Sequence, residues 1–302
     1  MAEPIGLIER AAALLQQEEP GEATPPITRA REESALSPAA PHLVLDRGRL
    51  ARFGIALPSA ARSRTVEEFR LLKRNLLTAW SQTDLMRSRQ SSRVIMVTSA
   101  RPGEGKTFTA LNLALAFASE RDVKAVLVDV DTQRPGVPRF LGIRREEGIV
   151  DVLAGNLELS DVLVQTELPN FMILPAGLGG PQVPELLSSR KMSALLDQMS
   201  RRLPDYFIII DTPPCLVSSD AAALAPLVGQ IVFVVEAHST QQAEIEAGLS
   251  MLSACPRISL LLNKCDSLAS DHFGSYGYNH NSGYSYDSFD GGSDESRSAD
   301  PA

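Results

Sequence analysis

The hydrophobic pattern is clearest in the middle of the chain, where short apolar runs alternate with helical patterns. Six runs have the composition of β-strands: VIMVTS, AVLVDVD, FMILPA, YFIIID, IVFVVEA and ISLLLNK. A helical pattern, TALNLALAFASE, separates the first two runs. Strands that are apolar on both faces are typical of a parallel sheet with helices covering both sides. The pattern therefore predicts a doubly wound α/β domain with a mainly parallel sheet over residues 91–268.

Two weaker patterns precede this domain. Apolar residues recur at helical spacing over residues 5–17, which predicts a short amphipathic helix within residues 1–18. Residues 19–41 are rich in proline, glutamate and alanine, and this composition predicts a disordered linker.

Residues 42–90 form a basic lead-in to the domain. A second helix is predicted from about Val66 to Trp80, because Phe69, Leu72 and Leu76 fall on the same face as Trp80. Residues 44–93 hold eleven Lys or Arg against four Asp or Glu, a net charge of +7. This excess indicates a contact with an acidic segment, a membrane surface or a partner, although a solvated surface fits the pattern equally well.

The end of the chain is a tyrosine-rich segment. Residues 269–302 contain many Gly, Ser and Asp and few aliphatic residues, which predicts a flexible tail with a net charge of -5. Four of the five tyrosines of the chain lie here: Tyr276, Tyr278, Tyr284 and Tyr286. Accessible hydroxyl groups among glycines and acids are suitable kinase substrates, and we predict these four as phosphorylation sites. Low-complexity sequence without such a role is the alternative.

Composition excludes several classes of protein. The overall net charge of -8 argues against a general nucleic-acid binder. Three cysteines without a CxxC pair predict neither a zinc site nor disulfides, and a reducing compartment fits them best. Because the chain has no long apolar run, we expect neither a secreted nor a membrane-spanning protein.

A glycine-rich segment follows the first strand run directly. It reads Ala100-Arg101-Pro102-Gly103-Glu104-Gly105-Lys106-Thr107. This is the spacing of a phosphate-binding loop, with Ala100 in place of the first glycine. In such a loop the backbone N–H groups surround the phosphates, the lysine reaches the β and γ oxygens and the hydroxyl group can hold magnesium. The alternative is a simple turn between a strand and a helix. The predicted nucleotide-binding residues are Pro102, Gly103, Glu104, Gly105, Lys106, Thr107 and Phe108.

Carboxylates end two of the strand runs. Asp129 and Asp131 end AVLVDVD, and Asp211 ends YFIIID. Ligands of open α/β sheets bind at the carboxyl ends of the strands, so these side chains should meet at one site. We predict Lys106, Asp129, Asp131 and Asp211 as catalytic residues, and Thr107, Asp129 and Asp211 as magnesium ligands. For Asp131, a capping or salt-bridge role is the alternative.

Together these motifs resemble those of the bacterial tyrosine kinases of exopolysaccharide export, a branch of the P-loop ATPases that includes the Min and Par ATPases. The resemblance covers roughly residues 65–290 and rests on GEGKT, VLVDVDTQRP and FIIIDTPP. It implies that the enzyme uses ATP and Mg²⁺, that Asp129 orients or deprotonates the incoming tyrosine, and that Asn263 lies near the adenine. The segments LIERAAALL and LVLDRGRLARFGIALPS look like the subgroup encoded beside exosortase-linked polysaccharide systems.

The resemblance also implies how the kinase assembles. EEFRLLKRNL is similar to the helix that the family uses for self-association, so Glu67, Arg70 and Lys73 are expected to form a subunit contact in a homo-oligomer. The tail of one subunit would then be phosphorylated by the next. The expected partners are a separate membrane-embedded chain-length protein and a tyrosine phosphatase, with no nucleic acid. A cytoplasmic kinase held at the inner membrane through its partner is the expected location.

Three other functions remain as alternatives. A Min- or Par-like switch ATPase without kinase activity would share the site, although those relatives usually carry a lysine where this chain has Arg101. A GTPase is suggested by Asn263-Lys264-Cys265-Asp266, which has the spacing that reads guanine. A binding protein that has lost catalysis is disfavoured by the intact Lys106 and Asp129.

Overall fold

The structure is a computed structural model, and it describes residues 41–55, 57, 63–81, 93–143 and 145–265. Within these ranges the strands are β1 (His42–Leu43), β2 (Val94–Ser99), β3 (Lys124–Asp129), β4 (Val164–Thr166), β5 (Phe171–Leu174), β6 (Tyr206–Asp211), β7 (Gln230–Glu236) and β8 (Ile258–Asn263). The helices before β6 are α1 (Arg47–Arg52), α2 (Arg64–Ser81), α3 (Lys106–Ala118), α4 (Gly136–Leu141), α5 (Ile149–Ala154), α6 (Leu159–Val162), α7 (Val183–Leu187) and α8 (Arg190–Arg202). After β6 come α9 (Asp220–Leu224), a 3₁₀ turn (Ala225–Leu227) and α10 (Gln242–Met251).

The described strands form one sheet in the order β1-β4-β5-β3-β6-β2-β7-β8. Every neighbouring pair is parallel except β4 and β5. Successive side chains of a strand point to opposite faces of a sheet, and both faces are buried here. In β2, Val94 and Met96 enter one core cluster and Ile95 and Val97 enter the other. The prediction of a mainly parallel, doubly wound domain is confirmed, and each of the six predicted runs forms a strand.

The folded domain begins well before residue 91, where the sequence placed its boundary. β1 belongs to the basic lead-in and pairs in parallel with β4. Leu45, Leu50 and Phe69 of the lead-in are buried in the same core cluster as the strand residue Ile95. The described part of the lead-in is therefore not a separate segment, because its apolar side chains complete one face of the sheet. The predicted N-terminal helix, the linker up to residue 40 and the tyrosine tail lie outside the described residues.

The predicted second helix is confirmed as α2, and its apolar face covers the sheet. The indole of Trp80 packs edge-on against the ring of Phe207 in β6, with 5.5 Å between ring centroids. Phe207 also contacts Phe117 of α3 at 4.6 Å, so this ring joins both helices to the centre of the sheet. Of the described helices, none is both long enough and apolar enough to cross a membrane.

The structure corrects the role predicted for Lys73. Its side chain is buried, forms an ion pair with Glu120 and donates a hydrogen bond to the Ala116 carbonyl oxygen at 3.2 Å. Lys73 therefore joins α2 to the end of α3 inside one chain, because it lies on the same side of α2 as the apolar residues. Glu67 and Arg70 are exposed and pair with each other. Their part in a subunit contact stays a prediction.

We expect Lys73→Ala to destabilise the fold by about 1–3 kcal/mol, because the substitution removes a buried aliphatic stem and its ion pair. Urea denaturation of the purified protein measures this change. Arg74→Ala, on the exposed side of α2, should cost less than about 0.5 kcal/mol. If Lys73→Ala kept the wild-type unfolding midpoint but reduced the mass of an assembly in sedimentation, Lys73 would be a subunit contact after all.

Candidate active site

The glycine-rich segment forms a tight loop between β2 and α3. Gly103 and Gly105 have φ angles of +92° and +97°, a region that favours glycine. A Cβ atom at Gly105 would lie 2.1 Å from Nδ2 of Asn263, so any other residue would displace that side chain as well as strain the backbone. Lys106 and Thr107 begin α3, where free backbone N–H groups and the helix dipole favour bound phosphate. The residues predicted from spacing thus have the backbone shape that phosphate binding requires.

Glu104 fixes this loop to the neighbouring elements. Its buried carboxylate accepts a hydrogen bond from the backbone N–H of Arg101 at 2.6 Å and another from the hydroxyl of Thr240. The side chain of Asn263 donates to the backbone carbonyl of Glu104 at 2.8 Å. The loop is therefore held by the turn after β7 and by the end of β8. Because the Glu104 side chain is bonded inside the protein, this residue offers only its backbone to a nucleotide.

The three predicted carboxylates meet at the carboxyl edge of the sheet. Asp129 of β3 and Asp211 of β6 are partners in the strand register, and both are fully buried. Asp131 follows β3, and its Oδ2 lies 2.8 Å from Nζ of Lys106. Asp131 also accepts a hydrogen bond from the backbone N–H of Arg134 at 3.0 Å. It therefore caps its own turn and pairs with the lysine, which are the contacts of the salt-bridge alternative, and its catalytic role stays a prediction.

Several carboxylate oxygens of the site have no hydrogen-bond partner among the described residues. Oδ1 of Asp129 accepts the backbone N–H of Asp131 at 3.0 Å, but its Oδ2 is unpaired. Both oxygens of Asp211 are buried and accept no hydrogen bond of standard geometry, although the Thr107 hydroxyl lies close enough to lower the pKa of this acid. Buried carboxylates without partners are costly, so their retention indicates that the site is built to receive a cation or a proton.

Burial and the negative charge of neighbouring acids raise the pKa values of Asp129 and Asp211. The pKa of Asp211 rises from 3.8 to about 6, chiefly through burial, while the charge of Lys106 opposes the rise. The pKa of Asp129 rises well above its ordinary value, first because of burial and then because of the negative charge of Asp211. A carboxylate whose pKa approaches neutrality is a better proton acceptor than an ordinary aspartate.

The unpaired oxygens fit a magnesium ion that is shared with a nucleotide. Among the described residues, no group of three or more His, Cys, Asp or Glu side chains could hold a metal ion alone. Magnesium is commonly held by one or two carboxylates together with phosphate oxygens and water, so a protein cage is not required. Asp211 and the Thr107 hydroxyl are the groups that would hold it, with Asp129 beside them.

A cleft of about 360 Å³ opens beside the phosphate-binding loop, and we call it the phosphate cleft. Of the predicted residues, it is lined by Pro102, Gly103, Gly105, Lys106, Thr107, Phe108 and Asp131. Asp129 and Asp211 are not part of this lining. Asn263 lies instead in a separate cavity of about 530 Å³, which Phe108 lines as well. Sequence reasoning did not identify Arg134, Arg139 and Val217, which also line the cleft, because no motif marks them.

Lys264 of the guanine-like motif forms an ion pair with Glu236 at 2.9 Å. Asp266, the acid that would read guanine, lies outside the described residues. The guanine alternative therefore stays a prediction.

A phosphate-binding loop between a strand and a helix, with a lysine and acidic strand ends beside it, defines a P-loop nucleotide-binding protein. A model of the AAA domain family (AAA_31) matches residues 92–246. The chain is 30% identical over 204 residues to the tyrosine-protein kinase CpsD of Streptococcus pneumoniae, covering 67% of this chain and 88% of that protein. It is 29% identical to CpsD of Streptococcus agalactiae, over 65% of this chain and 86% of the relative.

Solved kinase domains show the same relationship. The VpsO kinase domain is 35% identical, with a TM-score of 0.54, over 65% of this chain and 98% of that domain. The kinase domain of the Escherichia coli tyrosine kinase ETK shares the fold, with a TM-score of 0.57 and 24% identity over 72% of this chain and 95% of that domain. The chain belongs to the bacterial tyrosine-protein kinases, within the AAA domain family.

The raised pKa of Asp211 predicts that this acid destabilises the protein when neither metal nor nucleotide is present. The folded state holds the proton of Asp211 more tightly than the unfolded state, so this group lowers stability as pH rises from about 4 through about 6. Asp211→Asn should therefore raise the free energy of unfolding at pH 7.5 by about 1–3 kcal/mol. The gain should vanish near pH 4.

Thermal and urea unfolding in EDTA at both pH values would measure this effect. Asp122→Asn, which changes an exposed aspartate before β3, should leave stability nearly unchanged. A loss of stability in Asp211→Asn at pH 7.5 would contradict the assignment of Asp211 as an unpaired buried acid.

Proposed function

We propose that this chain is an ATP- and Mg²⁺-dependent tyrosine autokinase that phosphorylates the tyrosine cluster of its C-terminal tail. The kinase site of one subunit acts on the tail of another subunit. One observation carries the proposal. Lys106, which lines the phosphate cleft, pairs with Asp131 and lies close enough to Asp129 and Asp211 for its charge to lower the pKa values of both acids. This arrangement supplies positioning and charge compensation, which are the main requirements of phosphoryl transfer.

The residues of the phosphate-binding loop act on the phosphates of ATP. Backbone N–H groups of residues 103–107 and the ammonium of Lys106 bind the β- and γ-phosphates. Magnesium, when bound beside Thr107 and Asp211, compensates the negative charge of these phosphates. Lys106 is kept in place by Asp131, whose carboxylate holds the ammonium at the edge of the cleft.

Transfer requires that the phenol lose a proton. The tyrosine oxygen forms a bond to the γ-phosphorus, the bond from this phosphorus to the bridging oxygen breaks, and ADP departs with that electron pair. The phenol proton passes to Asp129, whose unpaired Oδ2 and raised pKa support this role. Because Asp129 is fully buried and is not part of the cleft lining, the tyrosine hydroxyl must enter deeply, or one water must relay the proton.

The tail gives the activity its regulatory meaning. Tyr276, Tyr278, Tyr284 and Tyr286 are the proposed acceptors. Each phosphate adds about -1.5 to -2 charge to a segment that is already acidic, so repeated phosphorylation would weaken an assembly held by charge. Glu67 and Arg70 remain the proposed subunit contact, without Lys73.

The biological setting follows from the family. We place the kinase in exopolysaccharide export, where it would regulate chain length together with a membrane-embedded partner and a tyrosine phosphatase, at the cytoplasmic side of the inner membrane. Membership of the exosortase-linked subgroup stays a prediction.

The contacts of Arg101 argue against a switch ATPase in which an arginine reaches across a dimer. Its guanidinium lies 3.6 Å from the carboxylate of Glu244 in the same chain.

Lys106→Met should abolish tyrosine phosphorylation while the protein stays folded, because the phosphates lose their cation. Mass spectrometry before and after incubation with ATP and Mg²⁺ measures the phosphate on the tail peptides. Lys124→Met, at the opposite end of β3 from Asp129, is the matched control and should be phosphorylated normally. Normal phosphorylation of Lys106→Met would overturn the site assignment.

The same variant tests whether transfer occurs between subunits. A Lys106→Met chain with an intact tail would be mixed with a wild-type chain truncated at Asp271, which has no tail tyrosines. Phosphate on the intact tail can then come only from the other chain. No phosphate in the mixture, with normal autophosphorylation of the wild type, would show that transfer stays within one chain.

We expect Asp129→Asn and Asp131→Asn to differ in their kinetics. Loss of the proton acceptor should lower kcat by about 10²- to 10⁴-fold with little change in the KM for ATP. Asp131→Asn removes the partner of Lys106 and should change the KM for ATP more than kcat. Steady-state kinetics with a tail peptide separates these outcomes, and a near-normal kcat in Asp129→Asn would assign the proton to another group.

A further inference from the structure

One wall of the phosphate cleft comes from α4 and the turn before it. Arg134, Gly136 and Arg139 of this segment line the cleft. The segment lies directly against the proposed magnesium ligand Thr107, because a Cβ atom at Gly136 would be only 2.6 Å from the Thr107 hydroxyl oxygen. This wall therefore borders the place where the γ-phosphate and its acceptor would meet.

Positive charge is in excess on the lining of the cleft. Three cations, Lys106, Arg134 and Arg139, stand against the single acid Asp131, a net charge of +2. Lys106 and Asp131 pair with each other, so the excess lies on the two arginines, which we call the arginine pair. Both residues are exposed, and among the described residues neither guanidinium has an ion pair or a hydrogen bond.

The surroundings of the arginine pair leave its charge available to a ligand. The guanidinium of Arg139 lies 5.9 Å from the ring centroid of Phe53, a contact that steadies the side chain without cancelling its charge. The phosphates of ATP already have the loop N–H groups, Lys106 and magnesium to compensate them. The arginine pair is therefore the charge left for the second reactant, and a guanidinium binds a carboxylate through two parallel hydrogen bonds.

The acids of the tail are unevenly placed about its tyrosines. We call Tyr276 and Tyr278 the first tyrosine pair, and Tyr284 and Tyr286 the second. Five of the six acids of residues 269–302 follow the second pair, beginning with its direct neighbour Asp287, whereas the first pair is followed by eight residues without an acid.

Chain geometry turns this placement into a difference between the two pairs. An extended chain rises about 3.3 Å per residue, so Asp287 and Asp290 lie within roughly 13 Å of Tyr286. The acid nearest to Tyr278 on the same side is Asp287, nine residues away and roughly 30 Å distant in an extended chain. An acceptor from the second pair therefore brings carboxylates to the wall of the cleft.

We propose that the arginine pair recognises the acceptor by binding the carboxylates that follow Tyr286 while a tyrosine of the second pair occupies the phosphate cleft. The arginine pair thereby sets the order of phosphorylation, with the second tyrosine pair modified before the first. Arg134 and Arg139 are positioning residues, because they act on the tail and not on the reacting atoms. This inference rests on the proposed function, since it assigns the acceptor side of the same site.

The order of phosphorylation is the first test. The full-length protein is incubated with ATP and Mg²⁺, and mass spectrometry at successive times measures the phosphate on each tyrosine. We expect the initial rate at the second tyrosine pair to exceed that at the first by at least about threefold, as exposed ion pairs allow. Asp287→Asn with Asp290→Asn should remove most of this difference. Equal rates at the two pairs in the wild type would overturn the inference.

Variants of the arginine pair test its assignment. Arg134→Gln with Arg139→Gln should equalise the two rates, whereas Arg134→Lys with Arg139→Lys keeps the charge and should retain part of the preference. Arg201→Gln with Arg202→Gln is the matched control. It removes two exposed arginines just before β6, at the opposite edge of the sheet from Asp211, and should leave the order unchanged.

Charge reversal tests for a direct contact. Arg134→Glu with Arg139→Glu should slow phosphorylation of the second tyrosine pair, and Asp287→Lys with Asp290→Lys in the same chain should restore it. Thermal unfolding of each variant shows that the protein remains folded. A folded double-reversed protein that stays slow at the second pair would contradict a direct contact between the arginine pair and these acids.

Binding without ATP separates this inference from the proposed function. The probe is a fluorescent peptide of residues 281–292, compared with the same peptide carrying asparagine in place of Asp287 and Asp290. The protein is the full chain with Asp287→Asn and Asp290→Asn, so that its own tail competes less. We expect the acidic peptide to bind at least about threefold more tightly at low salt, and the arginine-to-glutamine variant to bind both peptides equally.

Two outcomes of the binding experiment bear on different proposals. If no tyrosine were phosphorylated, yet the preference for the acidic peptide depended on the arginine pair, the proposed function would fail and the recognition of the tail acids would stand. If the tyrosines were phosphorylated but both peptides bound equally to the protein, the inference would fail and the proposed function would stand.

Steady-state kinetics decides between the tail and ATP as the partner of the arginine pair. Arg134→Gln with Arg139→Gln should raise the KM for the acidic peptide at least about threefold and the KM for ATP less than about twofold, because the arginines act on binding of the acceptor. A higher KM for ATP with an unchanged order of phosphorylation would assign the arginines to the nucleotide and overturn the inference.

Discussion

The structure depends on one electrostatic constraint, the burial of Asp129 and Asp211 side by side at the edge of the sheet. The two strands that carry them are direct neighbours, so the carboxylates face each other in register, and Lys106 is the cation that opposes both charges. Burying such charges costs several kcal/mol in a folded protein. The apolar sheet must supply that free energy, which explains why β3 and β6 are buried on both faces along almost their whole length.

The phosphate-binding loop is held in place by contacts with neighbouring elements. Glu104 bonds to Thr240 after β7, and Asn263 at the end of β8 packs against Gly105. The loop therefore keeps its shape through contacts that no nucleotide supplies. This division is physically sensible, because preorganised donors lower the cost of ordering the site when phosphate binds. It also links the loop to the strand from which the chain continues into the tail.

Much of the fold and the site follows from local pattern. Six strands are predictable from their apolar runs. The place of Lys106, Thr107, Asp129 and Asp211 at one site is predictable from the order of strand, loop and helix. β1 and β4 were not predicted, because strands of two and three residues are too short to show a periodic pattern. Lys73 was misassigned because its charge suggested exposure, whereas its partner Glu120 lies 47 residues away in the sequence. Pairing between distant residues, as for Glu104 with Thr240, has no signal in a single sequence.

The phosphate cleft belongs to the folded domain, whereas the tyrosines proposed as acceptors lie in the tail. A tail must therefore be brought to a cleft before phosphate can be transferred. Tyr276 lies 13 residues beyond Asn263, and an extended chain of that length spans at most about 45 Å. Since Asn263 packs against the phosphate loop, chain length alone does not prevent a tail from reaching its own cleft. A tethered segment has an effective concentration near the millimolar range. Transfer between subunits therefore requires an assembly in which a neighbour's tail has a higher effective concentration at the cleft than the chain's own tail. With Lys73 inside the fold, Glu67 and Arg70 are what remains of the three residues predicted for that contact. Exposed charges stabilise a contact weakly, so the negative charge of added tail phosphates would loosen such an assembly.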